Sequence, residues 1–312
     1  MIGPVKRQRY RRLLQKLRDR RTLDNNRGRS LLDTHLHSRF SIDSRAEPAD
    51  YARLAGLHDY IALEFTEHLD LDPADKSCGY YDAAGHAAAL AEARRLAPRT
   101  FIGRGAELTY YPSREEEIAA YLDEVPFDYA LGSVHVIDDL EANLTSRSGA
   151  LEYFAATTEQ EAYGRYFEHL YGAAQSGLFQ ALGHPDICKR YGVLFYGSFQ
   201  TRRWEEELRA VFRACRLTGT GFELNVAGWG QAPAEPYPNL EGLKLAREEG
   251  VELVTVCTDA HGINRFGPLL IRRGLELLRA AGFERVYYWR ERAAVPVEIA
   301  DLLAGRRRSG VA

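Results

Sequence analysis

The sequence predicts a single-domain α/β barrel, and three observations carry that prediction. Short apolar strands alternate with helical segments along most of the chain. No Pro/Gly/Ser-rich linker and no internal repeat divides it. Nearly every strand ends in a residue able to bind a metal, and the working residues of a β/α barrel sit at those C-terminal strand ends. Seven or eight such β-α units imply a sheet closed on itself, and 312 residues suffice for one large domain.

Taken in order, the first strand runs Leu31-Leu32-Asp33-Thr34-His35-Leu36-His37 and enters a loop that reaches Asp43. Apolar runs place further strands at Tyr60–Phe65, Phe101–Leu108, Tyr129–Val134, Leu178–Leu182, Gly221–Asn225 and Val251–Cys257, with a last one at Arg285–Trp289. Helical periodicity falls between them, at Pro48–Gly56, Ala83–Leu96, Arg114–Leu122, Thr158–Ser176, Thr201–Leu217, Leu240–Glu249 and Pro268–Ala281. Upstream, Val5 to Leu23 is Arg-rich and carries Tyr10, Leu13, Leu14 and Leu17 at helical spacing. This basic extension, residues 1–29, reads as an amphipathic helix docked by its leucines on a body spanning residues 30–312. A nucleic-acid arm and an organelle presequence are the other readings of the same residues.

The net charge of -3 gives no overall pull toward nucleic acid or membrane. It is unevenly spread: residues 1–29 hold eleven Lys/Arg against Asp19 and Asp24, which leaves the body about 12 units negative. An acidic body suits a site for cations. Cys78, Cys188, Cys215 and Cys257 are scattered with no CxxC, as expected in a reducing compartment. No apolar run approaches ~20 residues, and no apolar core follows the charged N-terminus, so neither a membrane span nor a secretory signal is expected. The expected location is the cytoplasm.

Alternation along the first strand points Asp33, His35 and His37 the same way, and two imidazoles two residues apart can grip one metal ion. A half-buried strand that carries two histidines is the ordinary alternative. The other strand ends weigh against it: they present His68 after Glu67, then Glu107, His135, His184, the Glu223–Asn225 segment, Asp259 and His261. Six of the nine histidines fall on this rim, whereas His58, His86 and His169 read as surface or packing residues. Buried imidazoles interleaved with Asp43, Glu107 and Asp259 need cations to offset desolvation and like-charge repulsion. Mixed nitrogen and oxygen ligation suits Zn, Mn or Fe better than Mg or Ca.

These motifs together resemble the PHP (polymerase and histidinol phosphatase) family of metal-dependent phosphoesterases. The match is carried by Asp33-x-His35-x-His37 with Asp43, Glu67-His68, Glu107, Ser133-x-His135, Gly183-His184-Pro185-Asp186 and Thr258-Asp259-Ala260-His261. The resemblance implies a distorted, TIM-like (β/α)7 barrel holding three divalent ions. His35, His37, Glu107 and Asp259 would hold the first. Glu107 would bridge to the second, completed by His135 and His184, and Asp43, His68 and His261 would hold the third. Glu107, Asp259 and His261 are thereby implied in catalysis. Gly132–Asp138, Leu182–Gly192 and Glu223–Gly228 most resemble the monofunctional histidinol-phosphate phosphatases, which implies L-histidinol phosphate as a small phosphomonoester substrate.

One departure bears on substrate binding. The subgroup commonly places a basic residue just after Asn-x-x-Gly to hold the phosphate, and here Gly228 is followed by Trp229-Gly230-Gln231. Arg165 and Arg190 are the candidates to supply that charge, with Ser133 beside the substrate. Asp33, Ser133 and Asp186 could orient ligands, and Glu223 or Asn225 could line the pocket. The expected reaction is attack of a metal-bridging hydroxide on phosphorus, since metals lower the pKa of bound water to about 7. Three readings compete with this one. They are a phosphoesterase acting on nucleotides or nucleic-acid ends through the basic arm, a regulatory module with structural metals, and an amidohydrolase-like barrel. The last lacks its strand-end lysine here.

Overall fold

Strand β1 (Leu31–Leu36) is buried along its whole length, as a strand must be when helices cover its sheet. The computed structural model describes residues 31–137 and 142–305. The basic extension, its expected helix over Val5–Leu23, and Asp138 lie outside the described residues. Helix α1 (Pro48–His58) starts on proline, whose fixed φ suits the first turn, and returns the chain to β2 (Tyr60–Leu69). Helix α2 (Ala83–Leu96) is capped by the Asp82 carboxylate on the Gly85 N–H and leads to β3 (Phe101–Thr109). Helix α3 (Glu115–Glu124) opens on three glutamates that favour its positive end, and β4 (Tyr129–Ser133) follows.

The next crossover is longer than the sequence suggested. A small antiparallel pair, β5 (Val136–Ile137) and β6 (Ala142–Asn143), and helix α4 (Arg147–Ala156) precede α5 (Glu159–Ser176). Helix α5 begins with a reciprocal Thr158–Glu161 capping box and buries Tyr163, Tyr166, Phe167, Leu170 and Ala174 at helical spacing. The expected strand at Leu178–Leu182 shrinks to β7 (Ala181–Leu182), and just before it the Gln180 side chain takes the Ala130 N–H at 2.8 Å while the Gln180 N–H donates to the Ala130 carbonyl at 2.9 Å.

Helix α6 (Lys189–Tyr196), unforeseen as a helix, lies before α7 (Glu205–Thr218), β8 (Gly221–Asn225), α8 (Leu240–Glu248), β9 (Val254–Cys257) and α9 (Pro268–Ala280). Seven parallel strands form one sheet in the order β1-β2-β3-β4-β7-β8-β9. Its two edges meet through a parallel bridge between Leu36 and Ala260 and through Thr34 and Thr255, whose hydroxyl oxygens are 2.7 Å apart. The barrel is therefore nearly closed, as its strand count implies.

The last expected strand exists but stands outside the barrel. Strand β10 (Arg285–Arg290) pairs antiparallel with β11 (Ala293–Glu298), followed by helix α10 (Ile299–Ala304). Trp289 is buried, stacks on Tyr129 at 4.4 Å between centroids, and donates its backbone N–H to Glu64. Among the described residues no helix is long and apolar enough to cross a membrane.

Candidate active site

Because all seven barrel strands are parallel, their C-terminal ends share one rim. The rim gathers His35 and His37 from β1, His68 from β2, Glu107 from β3, His135 after β4, His184 after β7, and Asp259 and His261 after β9. The register of β2 on β3 sets His68 beside Glu107, and their side chains meet with Nδ1 to Oε2 at 3.0 Å. Asp43, from the turn after β1, reaches His261 at 3.1 Å and His68 at 3.6 Å.

The imidazoles face one another in three pairs. His35 Nε2 lies 2.9 Å from His37 Nε2, His135 Nε2 lies 3.3 Å from His184 Nε2, and His68 Nε2 lies 3.3 Å from His261 Nε2. Glu107 spans the first two pairs, with Oε2 3.3 Å from His35 and Oε1 2.9 Å from His184. Asp259 lies 3.4 Å from His37 and 3.3 Å from His261. Sets of three donor atoms within 4.8 Å of one another include His35–His37–Glu107, His37–His68–His261 and His68–Glu107–His135.

The surroundings decide what those nitrogens can be. His35 Nδ1–H donates to Glu223 at 2.9 Å, and His37 Nδ1–H donates to Ser41, whose hydroxyl donates to Glu67. His135 Nδ1 meets Thr109, and His261 Nδ1–H donates to the Asp259 carbonyl. With the Nδ1 protons of His35, His37 and His261 committed outward, their Nε2 atoms can offer lone pairs to the cluster, those of His35 and His37 aimed at each other. Such lone pairs repel at these distances unless a cation lies between them. The donor set fits divalent ions, and the cluster supports metal binding.

Backbone and packing hold the donors in place. His184 and Asp259 have φ of 25° and 50°, left-handed values that an L-residue keeps only when its surroundings impose them. The Tyr166 hydroxyl donates to the His184 carbonyl at 3.1 Å, and the Glu223 carboxylate accepts the His184 N–H. Tyr51 bridges the seam, its hydroxyl 3.1 Å and 2.8 Å from the carbonyls of His37 and Ala260. Gly183 is required by a close approach, since a Cβ there would stand 2.1 Å from the Ser133 hydroxyl that donates to Glu107.

The electrostatics follow from this crowding. Burial raises the pKa of Glu107, but His35, His135 and His68 outweigh it and hold the carboxyl well below the usual range. Asp259 is depressed in the same way, burial being overcome first by His35. Burial and the neighbouring His261 and His68 push His37 well down, so it stays neutral. Burial opposes a charge on His35, yet Glu223, Glu107 and Asp259 raise it. Burial also raises the Cys257 thiol, which stays neutral beneath His35.

A cavity of about 370 Å³ opens above the cluster, and besides the donors other than His35 and His37 it is lined by Thr145, Ile187, Arg190, Gln231, Asn264 and Arg265. Of the two arginines the sequence suggested, Arg190 reaches it and Arg165 does not line it; Arg165 lies on α5. Ser133 is fully buried on Glu107 and does not line the cavity. Glu223 and Asn225, expected at the pocket wall, instead lie beneath the donors. Asn225 donates to Glu223 at 2.9 Å and to Asp259 at 3.2 Å. Asp33 accepts from the Thr258 N–H and hydroxyl, which fixes the turn before Asp259. Asp186 pairs with the buried Lys189 at 2.7 Å. His86 is a packing residue, buried between Phe40 and Tyr81. Arg265 was missed because an arginine in a short loop carries no periodic signal.

The model of the PHP domain matches residues 33–227. A Deinococcus radiodurans protein named "Probable histidinol-phosphatase" is 28% identical over 251 residues, 74% of this chain and 86% of that one. The histidinol-phosphatase of Lactococcus lactis is 26% identical over 261 residues, 82% of this chain and 93% of that one. Lactococcus lactis histidinol phosphate phosphatase, crystallised with Zn, L-histidinol and phosphate, is similar in fold with a TM-score of 0.74. Its identity is 24%, and the match covers 85% of this chain and 98% of that chain. A family model spanning more than half the chain thus coincides with a barrel whose rim carries the donors, and the chain belongs to the PHP-domain family.

Proposed function

We propose that the chain hydrolyses L-histidinol phosphate to L-histidinol and phosphate, as a cytoplasmic, metal-dependent phosphomonoesterase of histidine biosynthesis. The observation that supports this best is the three facing imidazole pairs, at 2.9, 3.3 and 3.3 Å, the first two spanned by Glu107. In this reading three divalent ions are held by His35, His37, Glu107 and Asp259, by Glu107, His135 and His184, and by Asp43, His68 and His261. Ions held by these residues would supply a water ionised near neutral pH for attack on phosphorus and positive charge to offset the phosphoryl oxygens.

The protein's own groups do the positioning. Glu107 shares its two oxygens between donor pairs, so it fixes their spacing, and Ser133 holds one of those oxygens at 2.7 Å. Glu223 orients His35 and the His184 backbone together. Arg190 at the cavity wall supplies charge for the phosphate. The named activities of the Deinococcus radiodurans and Lactococcus lactis relatives support the choice of substrate.

Glu107→Ala is the direct test of the site. The purified variant should fold, lose bound metal and lose phosphate release from L-histidinol phosphate by about a thousandfold or more, the scale of losing a main catalytic group. Full turnover by that variant would overturn the assignment.

A further inference from the structure

The residues that line the cavity without belonging to the donor set carry two cations, Arg190 and Arg265, and no carboxylate among the described residues. Arg265 differs from many arginines of the chain. Arg39, Arg53, Arg114, Arg209 and Arg285 each contact a carboxylate within 3.0 Å. Arg265 has no ion pair or side-chain hydrogen bond among the described residues, although Asp43 and Asp259 line the same cavity. Those two carboxylates are already turned to His261, His68 and His37.

The segment that presents Arg265 is short and anchored at both ends. His261 precedes it in the cluster, and the Arg265 N–H closes a turn on the Gly262 carbonyl at 2.9 Å. The next residue, Phe266, is buried, stacks on Tyr60 at 4.8 Å and meets Tyr51 edge-on at 5.3 Å. Pro268 then opens α9. A turn fixed this way holds its guanidinium near the cavity mouth with little loop freedom to lose on binding.

The neighbouring wall lacks a cation. After β8 the chain contributes Gln231, which is neutral, and Gly228 lets this loop pack tightly, since a Cβ there would lie 2.2 Å from the Glu235 carbonyl. Positive charge on that side therefore comes from the loop after β9. A guanidinium free of carboxylate partners, beside a cluster built for cations, is suited to paired hydrogen bonds with phosphoryl oxygens.

We propose that Arg265 is a substrate-anchoring residue that, with Arg190, holds the non-bridging oxygens of the phosphoryl group. This rests on the phosphomonoesterase reading, and its test separates the two. The Mn-loaded wild type, Arg265→Gln, Arg265→Lys and the outer-surface control Arg53→Gln are compared. The readouts are turnover of L-histidinol phosphate and an aryl phosphate, and calorimetric binding of inorganic phosphate.

Arg265→Gln should raise KM and weaken phosphate binding by about tenfold or more with a smaller change in kcat, the pattern of lost uniform binding. Arg265→Lys should recover part of the loss, and Arg53→Gln should match the wild type. Unchanged phosphate affinity in Arg265→Gln would overturn the anchor while leaving wild-type turnover to support the phosphatase reading. Phosphate binding that depends on Arg265 in a wild type with no turnover would keep the anchor and reject the phosphatase. A metal-loaded wild type that neither binds phosphate nor turns over any phosphomonoester would overturn both.

Discussion

His86 and His35 show how one residue type takes opposite electrostatic roles within one barrel. His35 sits among Glu223, Glu107 and Asp259 and gains proton affinity. His86 lies 3.6 Å from Glu67, yet burial first, and then Arg104, Arg94 and Arg39, lower its pKa to about 3 from 6.5. Between those values the unfolded chain binds a proton that the folded one refuses, so this contribution is fully present above 6.5 and is lost as pH falls toward 3. The difference is worth about 2 kcal/mol between pH 7.5 and pH 5. His86→Phe should therefore flatten the loss of stability over that range by about this amount, read from urea melts at the two pH values. An identical pH slope in both proteins would show that His86 titrates freely. At this scale the sequence was informative where residue types repeat at strand ends, which is how His35, His37, His68, His135, His184 and His261 could be found. It was silent on which atom faces which. Ser133 reads as a substrate contact from its motif, yet its hydroxyl is spent on Glu107. Arg265 has no motif at all.

Among the elements, α6 brings Arg190 to the cavity wall and is anchored by a buried lysine. Its Lys189 is fully buried and contacts Asp186 at 2.7 Å, Glu235 at 2.9 Å and the Pro236 carbonyl at 2.9 Å. It thereby ties the strand end carrying His184 to the loop carrying Gln231. Burial pushes Asp186 up to about 6 despite this lysine. Lys189→Met would leave Asp186 buried without its partner, and breaking a buried pair costs about 3–5 kcal/mol. The expected result is an unfolding free energy, read from urea melts, lowered by that much at pH 7, with a smaller loss at pH 5, where Asp186 takes a proton. A loss below about 1 kcal/mol would mean the loop holds without the lysine. Helix α6 was not read as a helix because Gly192 interrupts a run of only eight residues. Nor was the small β5–β6 pair foreseen, since two-residue strands carry no alternation to read. The last strand was foreseen as an element but not as a departure from the barrel. Its position depends on Trp289 meeting Tyr129 and Glu64, which are far away in sequence.

Across the whole molecule, the fold was legible because each β-α unit repeats the same pattern and the barrel needs only their number and order. The single-bridge seam between Leu36 and Ala260 was not, because it depends on how the irregular end of β1 meets the turn at Asp259. The rim that results gathers nine donor side chains from separate parts of the chain, seven of them lining a cavity of about 370 Å³. No single segment could bind the ions alone, so metal binding and turnover should both depend on the closed barrel. The measurement that tests this most directly is phosphate release from L-histidinol phosphate by chelator-stripped protein before and after reloading with Mn or Zn, beside nucleoside monophosphates and an aryl phosphate. The account predicts no release from the stripped protein, recovery on reloading, and a strong preference for L-histidinol phosphate. Equal release from stripped and reloaded protein, or reloaded protein that cleaves none of these esters, would contradict it.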